Sequence, residues 1–200
     1  EPYGGGGAAA ATRLWPLVAE RLADEAASLK DLSTAAVAFA HVRYADADFL
    51  DRVVERLSNA LVDDAGSIGA DVTSQLATAF MRIGDALTGI RAQTFWEIVA
   101  QAVIADARVP ELRGRYTSRH LANLAAGFST NHASSVPSRL DFLAVVDSLL
   151  NENSGARLQD MSNRGLALVA RLLAGSPGAK AQVFSALLAA GQERSGQLPA

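Results

Sequence analysis

In the segment "FLDRVVERLSNAL" (49–61) the apolar residues 50, 53, 54 and 57 recur at offsets of three, four and seven. That spacing gathers them on one face of an α-helix. Similar strongly apolar segments follow at "FWEIVAQAVIADA" (95–107), "LDFLAVVDSLLNE" (140–152) and "AQVFSALLAAGQE" (181–193), and "LWPLVAERLADEA" (14–26) comes before them all. Between them lie lighter, Ala-rich segments: "TAAVAFAHVR" (34–43), "TSQLATAFMR" (73–82), "SRHLANLAAG" (118–127) and "NRGLALVARL" (163–172). Aligning these four superposes the apolar anchors Val37, Leu76, Leu121 and Leu166, at intervals of 39, 45 and 45 residues. Each anchor is followed by Ala (38, 77, 122 and 167) and preceded within four positions by a hydroxyl residue: Ser33, Thr73, Thr117 or Ser162. Ser and Thr suit a helix N-cap, because the side-chain oxygen accepts a hydrogen bond from a backbone N–H that has no partner inside the helix.

Turn formers separate the segments at "DDAGSIG" (63–69), "RVPELRG" (108–114), "NENSGA" (151–156) and "GSPGA" (175–179). A lighter first helix, a turn and a heavier second helix repeat in the same order. One such hairpin cannot bury its apolar face alone, so neighbours must stack. The expected fold is therefore all-α: an α-solenoid of stacked helical hairpins, about nine helices or four and a half repeats. A plain helical bundle would share the composition but has no reason to share this order. The expected organisation is a flexible Gly/Ala-rich tail over 1–12, a repeat domain over 13–194 and a C-terminal tail over 195–200. The opening "EPYGGGGAAAA" reads as the kind of tail a targeting peptide leaves behind.

Composition narrows the chemistry. Half of the 200 residues are hydrophobic and about one in five is Ala, which favours close-packed helices over sheets. There is no Cys, so disulfides, thiolate metal sites and Cys nucleophiles are excluded. No apolar run approaches the ~18 residues of a membrane span, and no membrane partner is expected. "GGGG" (4–7) lacks the Lys-Ser/Thr of a phosphate loop. His41, His120 and His132 have no ligand-spaced partners, and no nucleophile–base set can be assembled. The chain is expected to be no enzyme, with no cofactor, no metal and no small-molecule substrate. The rings of Trp15, Trp96, Phe49, Phe95, Phe142 and Phe184 fall at core-like positions of second helices.

The phrases "DLSTAAVAFAHV" and "YTSRHLANLAAGF" resemble first helices of the organellar helical-repeat families, namely octotricopeptide and heptatricopeptide repeat proteins and the FAST-kinase-like proteins that often carry a RAP domain. The resemblance covers about 30–194 and follows a pattern of Leu-Ser, then Leu-Ala, then Ala, in units slightly shorter than those here. It implies an α-solenoid in the mitochondrial matrix or a plastid that works on organellar RNA, including ribosomal RNA. The irregular spacing and the lack of a RAP segment after residue 194 favour a mitochondrial ribosome subunit or assembly factor, surrounded by neighbouring proteins, over a reader of one messenger.

Charge placement bears on that expectation. The net charge is −3, so any basic surface must be local. The first-helix windows (30–45, 70–88, 113–130, 156–173) carry a net +5; the second-helix windows (14–29, 46–64, 91–107, 139–153, 180–194) carry a net −8. In stacked hairpins the two helix types lie on opposite surfaces, which would make one mildly basic. Arg43 and Arg82 lie six after their anchors; Arg119 and Arg164 lie two before theirs. Arg43, Arg82, Arg119, Arg164 and Arg171 are the candidate phosphate contacts, because Arg presents a planar fork of donors. His120 and Asn123 are candidates for the RNA backbone or a base edge. The rival expectation is a protein–protein scaffold or accessory subunit of a mitochondrial complex, suggested by the acidic total and by only two lysines, Lys30 and Lys180.

Overall fold

The computed structural model describes residues 6–22, 27–64, 66, 68–87 and 89–174, with positions 184, 185, 188, 189 and 192. Its regular elements are all helical among the described residues. They are α1 (Gly6–Leu22), α2 (Leu29–Val42), α3 (Ala47–Asp64), α4 (Gly69–Ile83), α5 (Ile90–Arg108), α6 (Pro110–Arg113), α7 (Ser118–Phe128), α8 (Arg139–Asn151), α9 (Ala156–Gln159) and α10 (Asn163–Ala174). Most of the expected last second helix (181–193) lies outside the described residues. The stretch expected to be a tail is helical from Gly6 onward. The run Ala8–Ala11 explains this, since Ala is the best helix former.

The helices pack in two rows. One row runs α2–α4–α7–α10 and the other α1–α3–α5–α8, with α2 on α3 and α4 on α5 joining them. Small residues let the first row close up: Ala36, Ala40, Ala70, Thr73, Ala77, Ala125, Gly127 and Gly165 are all buried along it. At Gly127 an added Cβ would fall 2.6 Å from the Trp96 ring, so α7 approaches α5 as closely as only Gly permits.

The repeat that organises the core is aromatic. A Phe late in each of the first helices α2, α4 and α7 meets a Phe early in the helix that follows in the second row. Phe39 meets Phe49 edge-on at 4.8 Å, Phe80 stacks on Phe95 at 3.6 Å, and Phe128 stacks on Phe142 at 3.9 Å. Trp96 bridges two hairpins, 4.9 Å from Phe95 and 5.1 Å from Phe128, and Trp15 closes on Phe39 at 5.6 Å. These rings are buried or half-buried, as expected for the second-helix aromatics. Phe184 also packs against the core.

The anchor alignment needs correcting. Leu76 and Leu121 are fully buried and Leu166 nearly so, but Val37 is half-buried. The paired Ala is buried at 77, half-buried at 38 and 122, and exposed at 167. The caps divide in the same way. Thr117 accepts from the His120 backbone N–H, and Ser162 accepts from Gly165 N at 3.1 Å. Ser33 and Thr73 are not caps. Both are buried in mid-helix; the Ser33 hydroxyl lies 2.9 Å from the Lys30 carbonyl and 3.0 Å from Gln75 Oε1, and that of Thr73 lies 3.1 Å from the carbonyls of Gly69 and Ala70. The cap of α2 is Ser28, which forms a reciprocal box with Asp31. The bonds from Ser28, its hydroxyl foremost, hold the Asp31 carboxyl below its ordinary range.

Candidate functional site: a groove across the first row

The outer faces of α2, α4, α7 and α10 enclose two adjoining hollows of about 360 and 420 Å³, which share Thr78, Arg82, Arg119 and Asn123. The first extends over α2 to Thr34 and His41; the second reaches Asp160 and Arg164 at the start of α10. The floor is small or apolar, with Ala79, Ala122, Ala126, Met81, Met161 and Leu168. Arg82, Arg119 and Arg164 stand on three neighbouring helices of the row, Arg82 in the last turn of α4 and Arg119 and Arg164 in the first turns of α7 and α10.

Four of the seven expected residues therefore come together here: Arg82, Arg119, Asn123 and Arg164. Arg43 sits beyond them as the exposed C-cap of α2, in the left-handed conformation with φ 55°. Arg171 is exposed in the last turn of α10. Neither lines the groove. His120 turns away from it: its ring is only 15% exposed, with Nε2 3.0 Å from Asp71 Oδ1 on α4 and Nδ1 3.0 Å from the Arg115 carbonyl. It ties α7 to α4. Four further residues line the groove that charge and repeat position do not single out, Thr34, Gln75, Thr78 and Ser118, together with His41. Their signal was helical spacing: Thr78 lies four before Arg82 and Thr34 seven before His41, hence on one face.

Partnering separates the arginines. Arg91 on α5 pairs with Asp51 on α3. Arg139 donates to the carbonyls of Phe128 and Ala133, both at 2.9 Å, and burial lowers the pKa of its guanidinium. Arg113 and Arg157 clamp Glu152 from both sides, Arg157 at 2.7 Å, and also reach the last carbonyls of helices, Arg113 to Ala107 and Arg157 to Leu149. There they oppose the negative end of each helix dipole. Burial pushes the Glu152 carboxyl up, but the bonds and charges of the two guanidinium groups outweigh it and hold it below the ordinary carboxylate range. Thus two of the arginines behind the first-helix surplus, Arg113 and Arg157, are structural.

Arg43, Arg82, Arg119, Arg164 and Arg171 have no carboxylate partner among the described residues. Arg82 Nη1 lies 3.5 Å from His41 Nδ1 on the neighbouring helix. Because guanidinium only donates, that ring nitrogen accepts. Asp160 is the one carboxylate that lines either hollow among the described residues. The groove can thus offer forked donors to an extended polyanion.

Other chemistry is thinly represented among the described residues. No three His, Asp or Glu side chains cluster as metal ligands would, and no helix is long and apolar enough to cross a membrane. No known protein family, curated protein or solved structure matches the chain.

Proposed function

We propose that the chain is a non-catalytic α-solenoid of stacked helical hairpins that binds structured RNA along the first-row groove. The observation that carries this reading is the set Arg82, Arg119 and Arg164, which line one hollow from three neighbouring helices and are ion-paired to no carboxylate among the described residues. The two-row packing supports the solenoid, each inner helix of the first row lying against the one before and the one after. Placement in the mitochondrial matrix, as a ribosome subunit or assembly factor touching ribosomal RNA, rests on the resemblance of the first-helix phrases to organellar repeat proteins. Neighbouring proteins of such an assembly would cover the acidic second row.

The test is a salt titration of binding to a folded RNA, by anisotropy, for the chain and for Arg119→Glu/Arg164→Glu. Removing phosphate contacts removes counterion release, so the variant should bind more weakly and with a shallower salt dependence, at unchanged helical content. Binding indifferent to both salt and substitution would refute the proposed surface. A second reading, a scaffold for a partner helix, is favoured by the small, apolar groove floor. It predicts capture of a protein segment with little salt dependence.

A further inference from the structure

Taking the groove as an RNA site, its side chains also bear on which form of RNA it holds. A site for splayed single strands presents rings on which bases stack. Among the described residues no Phe, Tyr or Trp lines either hollow. Every described Phe, Tyr and Trp is buried or half-buried, most of them in the aromatic ladder between the rows.

Three of the four hydroxyls that line the groove carry the rest of the argument; the fourth, Ser162, caps α10 by accepting from Gly165 N. Thr34 Oγ1 donates to the Lys30 carbonyl at 2.9 Å, Thr78 Oγ1 to Ser74 at 3.0 Å, and Ser118 Oγ to Arg157 at 2.7 Å. Each hydroxyl has a single hydrogen, and here it is committed to backbone. What these oxygens turn to the groove is lone pairs alone. An acceptor-only oxygen repels a phosphate oxygen but suits a donor. Along an RNA backbone the regularly placed donor beside each phosphate is the ribose 2′-OH. Forked cationic donors (Arg82, Arg119, Arg164) and acceptors (Thr34, Thr78, Ser118) therefore line the same groove, the two kinds of group that phosphate and 2′-OH require.

We propose that the groove takes the ribose–phosphate edge of A-form double-stranded RNA, the arginines receiving phosphates and the three hydroxyl oxygens accepting from 2′-OH groups. It selects RNA over DNA and does not read base sequence. The wide minor groove of an A-form helix presents these two groups together.

The experiment measures anisotropy of the full chain with six labelled probes of equal length: two RNA duplexes of unrelated sequence, the DNA duplex and the 2′-O-methyl RNA duplex of the first sequence, and its two component RNA strands alone. The two RNA duplexes should bind within about twofold of each other, and DNA and 2′-O-methyl duplexes at least about fivefold more weakly, the scale of a few lost hydrogen bonds. The methylated duplex keeps the A-form, so it isolates the lost donor from a change of shape. Thr34→Val and Thr78→Val should each narrow the RNA-to-DNA ratio. Equal affinity for RNA and 2′-O-methyl duplexes would overturn the hydroxyl assignment. Tighter, sequence-dependent binding of single strands would overturn the duplex assignment while leaving RNA binding intact. Failure of every probe to bind in a salt-sensitive way would remove both this inference and the function beneath it.

Discussion

Gly127→Ala tests the hairpin packing most directly, because two opposed effects meet at one atom. Gly127 lies near the C-terminal end of α7, so replacing it should first gain helix propensity, at most about 1 kcal/mol. The new methyl, however, would lie 2.6 and 2.8 Å from two Trp96 ring carbons and 3.1 Å from the Ala77 carbonyl oxygen. Trp96 cannot simply swing away. It is 3% exposed, edge-on to Phe95 and to Phe128, and Phe128 is itself stacked on Phe142. Overpacking such a site costs about 1–3 kcal/mol, so the net loss should be about 1–2 kcal/mol, or roughly 2–8 °C in Tm for a chain of this size. Thermal and urea unfolding followed by circular dichroism would measure it. A cycle with Trp96→Phe identifies the cause, since Phe lacks the outer ring atoms that the methyl strikes. Trp96→Phe alone leaves a cavity; adding Gly127→Ala should then cost little or recover stability, a strong coupling between the two changes. A Gly127→Ala protein as stable as the parent, or strictly additive losses, would refute the close approach of α7 to α5.

Two further outcomes follow from buried polar joints. Burial, reinforced by the charge of Asp106, pushes the Tyr116 phenol far above its ordinary range, so its hydroxyl remains a donor to Asp106 Oδ2 at 2.8 Å. Tyr116→Phe leaves a buried carboxylate with one donor fewer and should cost about 1–3 kcal/mol in urea unfolding; an unchanged midpoint would show that the bond is not needed. Glu152→Gln tests the arginine clamp through pH. The folded-state pKa of Glu152 is depressed, so its contribution is present above the unfolded value of about 4.3 and fades as pH falls through the lower folded one. The parent should therefore exceed the variant in Tm at neutral pH and converge with it on acidification, whereas a pH-independent gap would count against the clamp.

Helix positions and row membership were legible because they depend on local periodicity, which needs no knowledge of partners. The register was legible only where a cap lay close to its anchor, as at Thr117 and Ser162, each four residues before a buried Leu. In α2 the helix begins earlier than the Ala-rich phrase suggests, and the signal that marks its start is the box Ser28-x-x-Asp31. The aromatic pairing escaped because its two members sit on different helices and their spacing drifts, with 41 and 48 residues between successive first-helix Phe. Ala-rich helices align with one another almost anywhere; large rings do not, and the rings fix the core. In the groove, Arg82, Arg119, Asn123 and Arg164 were found by charge and repeat position, while its hydroxyls were passed over because their significance lies in which carbonyl holds their hydrogen. No count of charges could have revealed that Arg113 and Arg157 are spent on Glu152, since Glu152 lies 39 residues beyond Arg113.

The unpaired state of the groove arginines is a matter of placement, since acids outnumber bases by 21 to 18. Carboxylates are abundant, yet several serve second-row and turn positions: Asp51 on Arg91, Glu152 on two arginines, and Glu97 on Ser138, the N-cap residue of α8. Burial pushes the Glu97 carboxyl up, but the bonds from Ser138 and Gln101 overcome this and hold it below the ordinary range. Those pairs join neighbouring elements and contribute to the stack. An exposed pair on the groove rim would contribute little, about 0–1 kcal/mol, so leaving Arg119 and Arg164 without one sacrifices almost nothing in stability. It does change what the surface attracts. Exposed carboxylates such as Asp48, Glu55 and Asp141 stand on the second row, where they repel a polyanion. On the proposed function, a chain with net negative charge would meet nucleic acid first row inward, with its acidic flank left for protein neighbours.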